Sequence, residues 1–167
     1  VQGLAAAPSL DAIEGAIDYA LIATPAPTVP DAIRAAGAKG AKAAMVFSSG
    51  FREVEGDGAA LEAAALAAAR ESGLRLIGPN CLGGFNAATG FTPCFSATLE
   101  RGRPETGGLG IASQSGAYGS HIYYIARTRG IGTRYLLTTG NEADVDVAEV
   151  IGLMAEDEAV HAICAYC

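Results

Sequence analysis

Apolar residues in this chain fall into short runs divided by turns of small residues. Asp18-Tyr19-Ala20-Leu21-Ile22-Ala23-Thr24 is one such run, bounded by turn signals as a buried parallel strand would be. It breaks at Pro25-Ala26-Pro27. Thr28 is then placed to cap a helix through Val29, Ala32, Ile33 and Ala36 that stops near Gly37 and Gly40. A second strand, 43–47, ends in Ser48-Ser49-Gly50-Phe51. An alanine-rich helix over 58–72 is closed by Gly73, and its alanine stripe reads as core packing. Leu74-Arg75-Leu76-Ile77 then runs into the turn Gly78-Pro79-Asn80-Cys81-Leu82-Gly83. From Gly83 to about Gly108 neither period persists. So long a structureless stretch inside one compact domain is uncommon, so it reads as a connector with room for a hairpin. Alternation resumes with a strand at 109–112, a helix from Ser115 to Arg129, a strand at 135–138, a helix at 145–156 and a strand at 160–166. Asp144 and Asp146 sit where the last helix dipole favours acids. Two strand–helix series around a connector predict an α/β protein with parallel sheets in two parts, 1–83 and 108–167, joined by 84–107.

Ligands of open α/β sheets collect at the C-terminal ends of the strands. Five turns fall there: 24–27, 48–51, 78–83, 113–117 and 139–142. All are small, glycine-rich or amide-bearing, suited to close backbone approach. In Ile111-Ala112-Ser113-Gln114-Ser115-Gly116-Ala117, Ser115 is a natural N-cap for a helix with apolar residues at Ile122, Ile125 and Ala126. Such a turn aims free N–H groups and the positive end of a helix dipole at one point, a ready site for phosphate. Without a ligand it is an ordinary helix cap. The local pattern leaves both readings open.

Charge narrows the partners. The 11 basic residues face 18 acidic ones, for a net charge of −7, and form no Lys/Arg stripe to displace counterions from nucleic acid. No apolar run approaches the ~20 residues of a membrane helix, and no basic-then-apolar leader opens the chain. Hydrophobic residues make up 50% of the 167, enough for a sizeable core. Cys81, Cys94, Cys164 and Cys167 without a signal sequence favour a reducing, cytoplasmic setting. Cys164-Ala165-Tyr166-Cys167 has C-x-x-C spacing but no second pair or histidine cluster, so no metal site is assigned.

Familiar motifs fail. Gly108-Leu109-Gly110 precedes its strand and Ser113 stands where a dinucleotide fingerprint needs glycine. Around Ser115 the nucleophile-elbow glycines are replaced by Ser113 and Ala117. His121 and His161 lie within a helix and at a strand start, without partner motifs, and read as structural.

Gly-Pro-Asn-Cys-Leu-Gly at 78–83, Ser-Gln-Ser-Gly-Ala at 113–117 and Gly-Asn-Glu-Ala-Asp at 140–144 resemble signatures of NDP-forming acyl-CoA synthetases. That superfamily includes the succinyl-CoA synthetase alpha subunit and ADP-forming acetyl-CoA synthetase. The resemblance covers essentially the whole chain. It implies a Rossmann-like CoA-binding domain followed by a flavodoxin-like domain, both incomplete. Thr24, Pro25, Ala26, Pro27, Ser48, Ser49, Gly50 and Phe51 would line the coenzyme A site, with Asn80 and Cys81 near the thiol. Ser113, Gln114, Ser115, Gly116 and Ala117 would bind phosphate, bordered by Gly140 and Asn141. The family converts acyl-CoA, phosphate and NDP reversibly to acid, CoA and NTP through acyl-phosphate and phosphohistidine. The phosphohistidine stands in a His-x-Gly context that neither His121 nor His161 has, so it is expected beyond Cys167, and no catalytic residue is assigned here. Nor does Val1-Gln2-Gly3 include a start Met. The chain thus reads as a central piece of a longer ligase whose ATP-grasp domain or subunit holds ADP/ATP with Mg, and which is inactive alone. Edges left open by such a cut would favour a homo-oligomer. Two alternatives stay open: a regulatory module sensing CoA esters beside a protein acetyltransferase, and a plain flavin- or nucleotide-binding Rossmann protein.

Overall fold

The computed structural model describes residue 3 and residues 5–167; Val1, Gln2 and Leu4 lie outside the described residues. Two sheets form. In the first, β1 (Tyr19–Ile22), β2 (Ala43–Val46) and β3 (Arg75–Ile77) run parallel in the order β1-β2-β3. Alternation along these strands sorts their side chains. Ile22, Ala44, Val46 and Leu76 bury against Val29 and Ile33 of α1 (Val29–Ala38) and Ala65, Ala68 and Ala69 of α2 (Gly58–Glu71). Both helices therefore cover one face. They approach so closely that a Cβ on Gly37 would meet that of Ser72 at 2.4 Å.

The second sheet has the order β4-β6-β5-β7, from β4 (Gly84–Asn86), β5 (Leu109–Ser113), β6 (Thr133–Thr138) and β7 (Ala162–Tyr166). Its faces are covered separately: Ile111 and Leu136 meet Tyr123 of α3 (Gly116–Thr128), whereas Ala112 meets Val150 and Met154 of α4 (Val147–Ala155). Ile77 of the first sheet also packs on the α4 cluster.

Residues 83–94 fold back through antiparallel bridges Asn86–Phe91 and Gly83–Cys94, the hairpin for which the connector left room. Two details differ from the sequence expectation. The stretch read as a connector contributes β4, which pairs antiparallel with β6 and makes this sheet mixed. Thr28 does not cap α1: a 3-10 turn over Ala26–Thr28 leads straight into the helix in helical geometry, and the Thr28 hydroxyl donates to the Pro25 carbonyl at 2.8 Å. Among the described residues no helix is long and apolar enough to cross a membrane.

Candidate functional site

The second sheet delivers, after β5, the helix cap that the sequence suggests. Ser115 adopts the extended geometry of an N-cap and its hydroxyl accepts from the Tyr118 N–H at 3.3 Å. The N–H groups of Gly116 and Ala117 find no acceptor among the described residues. Gln114 lies beside them, its side-chain amide donating to the Gly140 carbonyl at 2.7 Å. Ser113 is fully buried and donates to the Ser115 carbonyl, so it shapes the turn from behind.

The 78–83 turn of the first sheet arrives at the same place. Asn80 holds a left-handed backbone with φ of 57°. Asn80, Cys81 and Leu82, with Phe47 and Phe95, face Gln114, Ser115, Gly116, Ala117 and Gly140 across a cleft of about 320 Å³. A cavity of about 400 Å³ adjoins it, walled by Ala23, Ser48, Ser49 and the same Phe47 and Phe95. A larger gap between the sheets, about 520 Å³, is walled mainly by apolar residues such as Met45, Ile77 and Phe85 and receives no anion-binding turn.

The joint between the halves is built largely from 140–144. The Asn141, Ala143 and Val145 N–H groups donate to the Pro79, Gly78 and Leu76 carbonyls. A Cβ on Gly140, where φ is 63°, would stand 2.3 Å from the Pro79 carbonyl oxygen, which explains glycine there. Asn141 is 5% exposed; its amide donates to Glu53 at 2.5 Å and Glu62 at 2.8 Å and accepts from Asn80. Arg52 closes the network by pairing with Glu62 and donating to the Asn141 carbonyl. Glu142 accepts from Thr139 and from the Val147 N–H at the start of α4. Asp144 pairs with Arg75 and accepts from the Leu76 N–H. Asp146 caps α4 through the Glu149 N–H.

Glu53 also fills the 48–51 turn, accepting from Gly50 N–H at 2.5 Å and Phe51 N–H at 3.2 Å. Burial pushes its carboxyl up, but hydrogen bonds from Asn141, Gly50 and Phe51 outweigh that and hold it below the usual glutamate value. The Cys81 thiol is 3% exposed and donates to the Val46 carbonyl. Burial pushes it up to about 12, so it is a poor nucleophile.

Of the candidate coenzyme A residues, then, Ser48, Ser49, Asn80 and Cys81 line the two cavities. Phe51 is core, Gly50 serves Glu53, and Thr24, Pro25, Ala26 and Pro27 stand outside the lining. Of the candidate phosphate residues, Gln114, Ser115, Gly116, Ala117 and Gly140 line the cleft; Ser113 and Asn141 do not. His121 and His161 are exposed and away from it. All four cysteines are free. Among the described residues no group of three or more His, Cys, Asp or Glu is arranged to hold a metal. The sequence reading missed Phe47, Leu82 and Phe95 as lining residues. It also took helix 58–72 as core packing alone, whereas Glu62 carries the joint network; an acid in register with Ala65 and Ala69 on the buried face was the available signal.

Fold and cleft together define a two-part α/β protein in which an open helix start faces the turn at Asn80 to Leu82 across a cleft. The first part, residues 1–86, matches the family model "CoA binding domain", and residues 106–167 match "Succinyl-CoA ligase like flavodoxin domain". The chain belongs to the family of NDP-forming acyl-CoA synthetases that joins these two domains. It is 33% identical to acetate–CoA ligase [ADP-forming] I of Archaeoglobus fulgidus over 99% of its own length and 24% of that relative. With a trans-feruloyl-CoA synthase from an unknown prokaryotic organism it shares 37% identity over 90% of the chain and 21% of the relative. The dinucleotide forming acetyl-coenzyme A synthetase 1 of Ca. Korarchaeum cryptofilum, solved in complex with phosphate and ADP, superposes with a TM-score of 0.90. That match has 28% identity and covers all of this chain and 35% of that one. The chain thus spans a quarter or less of these two curated relatives. One is a ligase and the other a synthase by name, which lends no support to a regulatory module.

Proposed function

We propose that the chain forms the part of an NDP-forming acyl-CoA synthetase where an acyl group passes between coenzyme A and phosphate. The observation that carries this reading is the meeting of an open helix start, Ser115 to Ala117, with the Asn80-Cys81 turn across one cleft. Phosphate sits on the Gly116 and Ala117 N–H groups, where fixed dipoles stabilise its charge without reorganisation. CoA enters past Ser48 and Ser49, its sulfur ending near Asn80 and Cys81. A phosphate oxygen bonds to the thioester carbonyl carbon, the carbon–sulfur bond breaks, and the phosphate proton ends on the departing CoA thiol. The product is an acyl-phosphate. The backbone amides orient and neutralise; Cys81 stays protonated and shapes the wall.

We divide the chain into 1–83, the connector 84–107 and 108–167, a division supported by the family matches to 1–86 and 106–167. A nucleotide with Mg, a carrier histidine and an ATP-grasp partner belong to other parts of the protein on this reading. No step through the metal is assigned to these residues. Acyl-CoA or a carboxylic acid is the substrate; the names of the relatives support the class.

Phosphate titration followed by amide NMR tests the site. Saturable shifts at Gly116 and Ala117 are expected. Ser115→Pro, which removes the capping hydroxyl and an N–H, should abolish them in a chain that remains folded. A folded natural chain without shifts at these amides overturns the placement.

A further inference from the structure

Phe47 and Phe95 wall both cavities, so they stand where the CoA-side space of about 400 Å³ opens into the phosphate-side cleft of about 320 Å³. Their rings meet edge to face, with centroids 5.1 Å apart. Phe95 is 61% exposed, a large apolar side chain that contributes nothing to the core. It is nevertheless held in place. Its N–H reaches the Leu82 carbonyl, and the neighbouring Ser96 is buried, its hydroxyl bonded to Ser120 on α3 at 3.0 Å. The loop presenting Phe95 is thereby tied to the helix whose start receives phosphate.

The cleft divides by chemistry. Asn80, Gln114, Ser115 and the Gly116 and Ala117 backbone are polar; Phe47, Leu82 and Phe95 are the apolar wall. With phosphate on the amides and the thioester carbonyl carbon facing it, the polar wall is taken. The remainder of the acyl group then points to the apolar wall. We propose that Phe95, backed by Phe47, is the specificity-determining residue that limits the size of the acyl group. This inference rests on the reading of the cleft given above.

The test uses the natural polypeptide that carries this chain, with Phe95→Ala and Phe95→Trp, and calorimetric affinities for acetyl-CoA and benzoyl-CoA. Exposure of Phe95 means both variants should fold, which thermal unfolding checks. Phe95→Ala should shift the benzoyl-to-acetyl affinity ratio by roughly tenfold toward benzoyl, and Phe95→Trp should shift it the other way. A ratio that stays within about twofold of the natural one in both variants overturns this inference and leaves the cleft reading standing. If neither thioester binds the folded natural protein, the cleft reading and the inference fall together.

Discussion

The 48–51 and 113–117 turns are built alike and end differently. Each follows a buried parallel strand, each strings serines and a glycine, and each leaves backbone N–H groups at its tip. In the first, the Glu53 carboxylate, three residues after Gly50, swings back and takes the Gly50 and Phe51 N–H groups. In the second, the residue three positions after Gly116 is Gly119, and the Gly116 and Ala117 N–H groups stay open to the cleft. A small-residue turn at a strand end is thus an anion site only when the chain does not supply its own anion. The molecule uses one turn to lock its halves together and leaves the other open, where the proposed function puts phosphate.

The joint carries the largest expected effect. Asn141→Leu leaves the nearly buried Glu62 with Arg52 alone and removes a donor from Glu53. Urea unfolding should show a loss of about 3 kcal/mol, the scale for stripping partners from a buried carboxylate. A loss below about 1 kcal/mol would mean that the backbone bonds to Gly78 and Pro79 hold the joint by themselves. Glu53→Ala goes to the heart of the difference between the turns, since it empties the self-filled one. It should cost about 2 kcal/mol. Phosphate titration of this variant should add shifts at the Gly50 and Phe51 amides to those at Gly116 and Ala117. Shifts confined to the second turn would show that the two differ in more than an internal carboxylate.

That difference was not legible in the sequence. Periodicity and turn residues located both sheets and both turns, because buried strands and helix caps are local signals. Ser115 and Asp146 were readable as helix-start residues on those grounds. Where a side chain swings is set by tertiary packing, so Glu53 could not be assigned to its own turn. Asn141, placed by resemblance at the phosphate pocket, proves to bond Glu53 and Glu62, partners 88 and 79 residues away. The antiparallel β4 was hidden for a related reason: three residues, Gly84, Phe85 and Asn86, are too few to show a period.

A smaller effect separates the turns by their caps. Ser115→Ala removes the acceptor for the Tyr118 N–H and should cost about 1 kcal/mol without phosphate. Saturating phosphate should narrow that gap, because an anion at the helix start can accept from the freed N–H. The Ser48 hydroxyl donates instead to the Thr24 carbonyl, so Ser48→Ala should show no such phosphate-dependent recovery.

The smallest effect is a pH dependence belonging to the first turn alone. Hydrogen bonds from Asn141, Gly50 and Phe51 outweigh burial and keep Glu53 below the usual glutamate value. Its unfolded form therefore takes up a proton first as pH falls, near about 4.3. The stabilisation is complete above that value and is lost as pH drops through the lower folded value. Because Glu53 is largely open to solvent, screening should reduce the contribution to a fraction of a kcal/mol. Glu53→Gln should remove this component, so that the stability difference from the natural chain shrinks on acidification below pH 4 or so. A difference that stays constant across that range would show that the carboxylate charge is immaterial and that geometry alone fills the turn. The 113–117 turn contains no titrating side chain, so substitutions at Ser115 should leave the same acid profile unchanged.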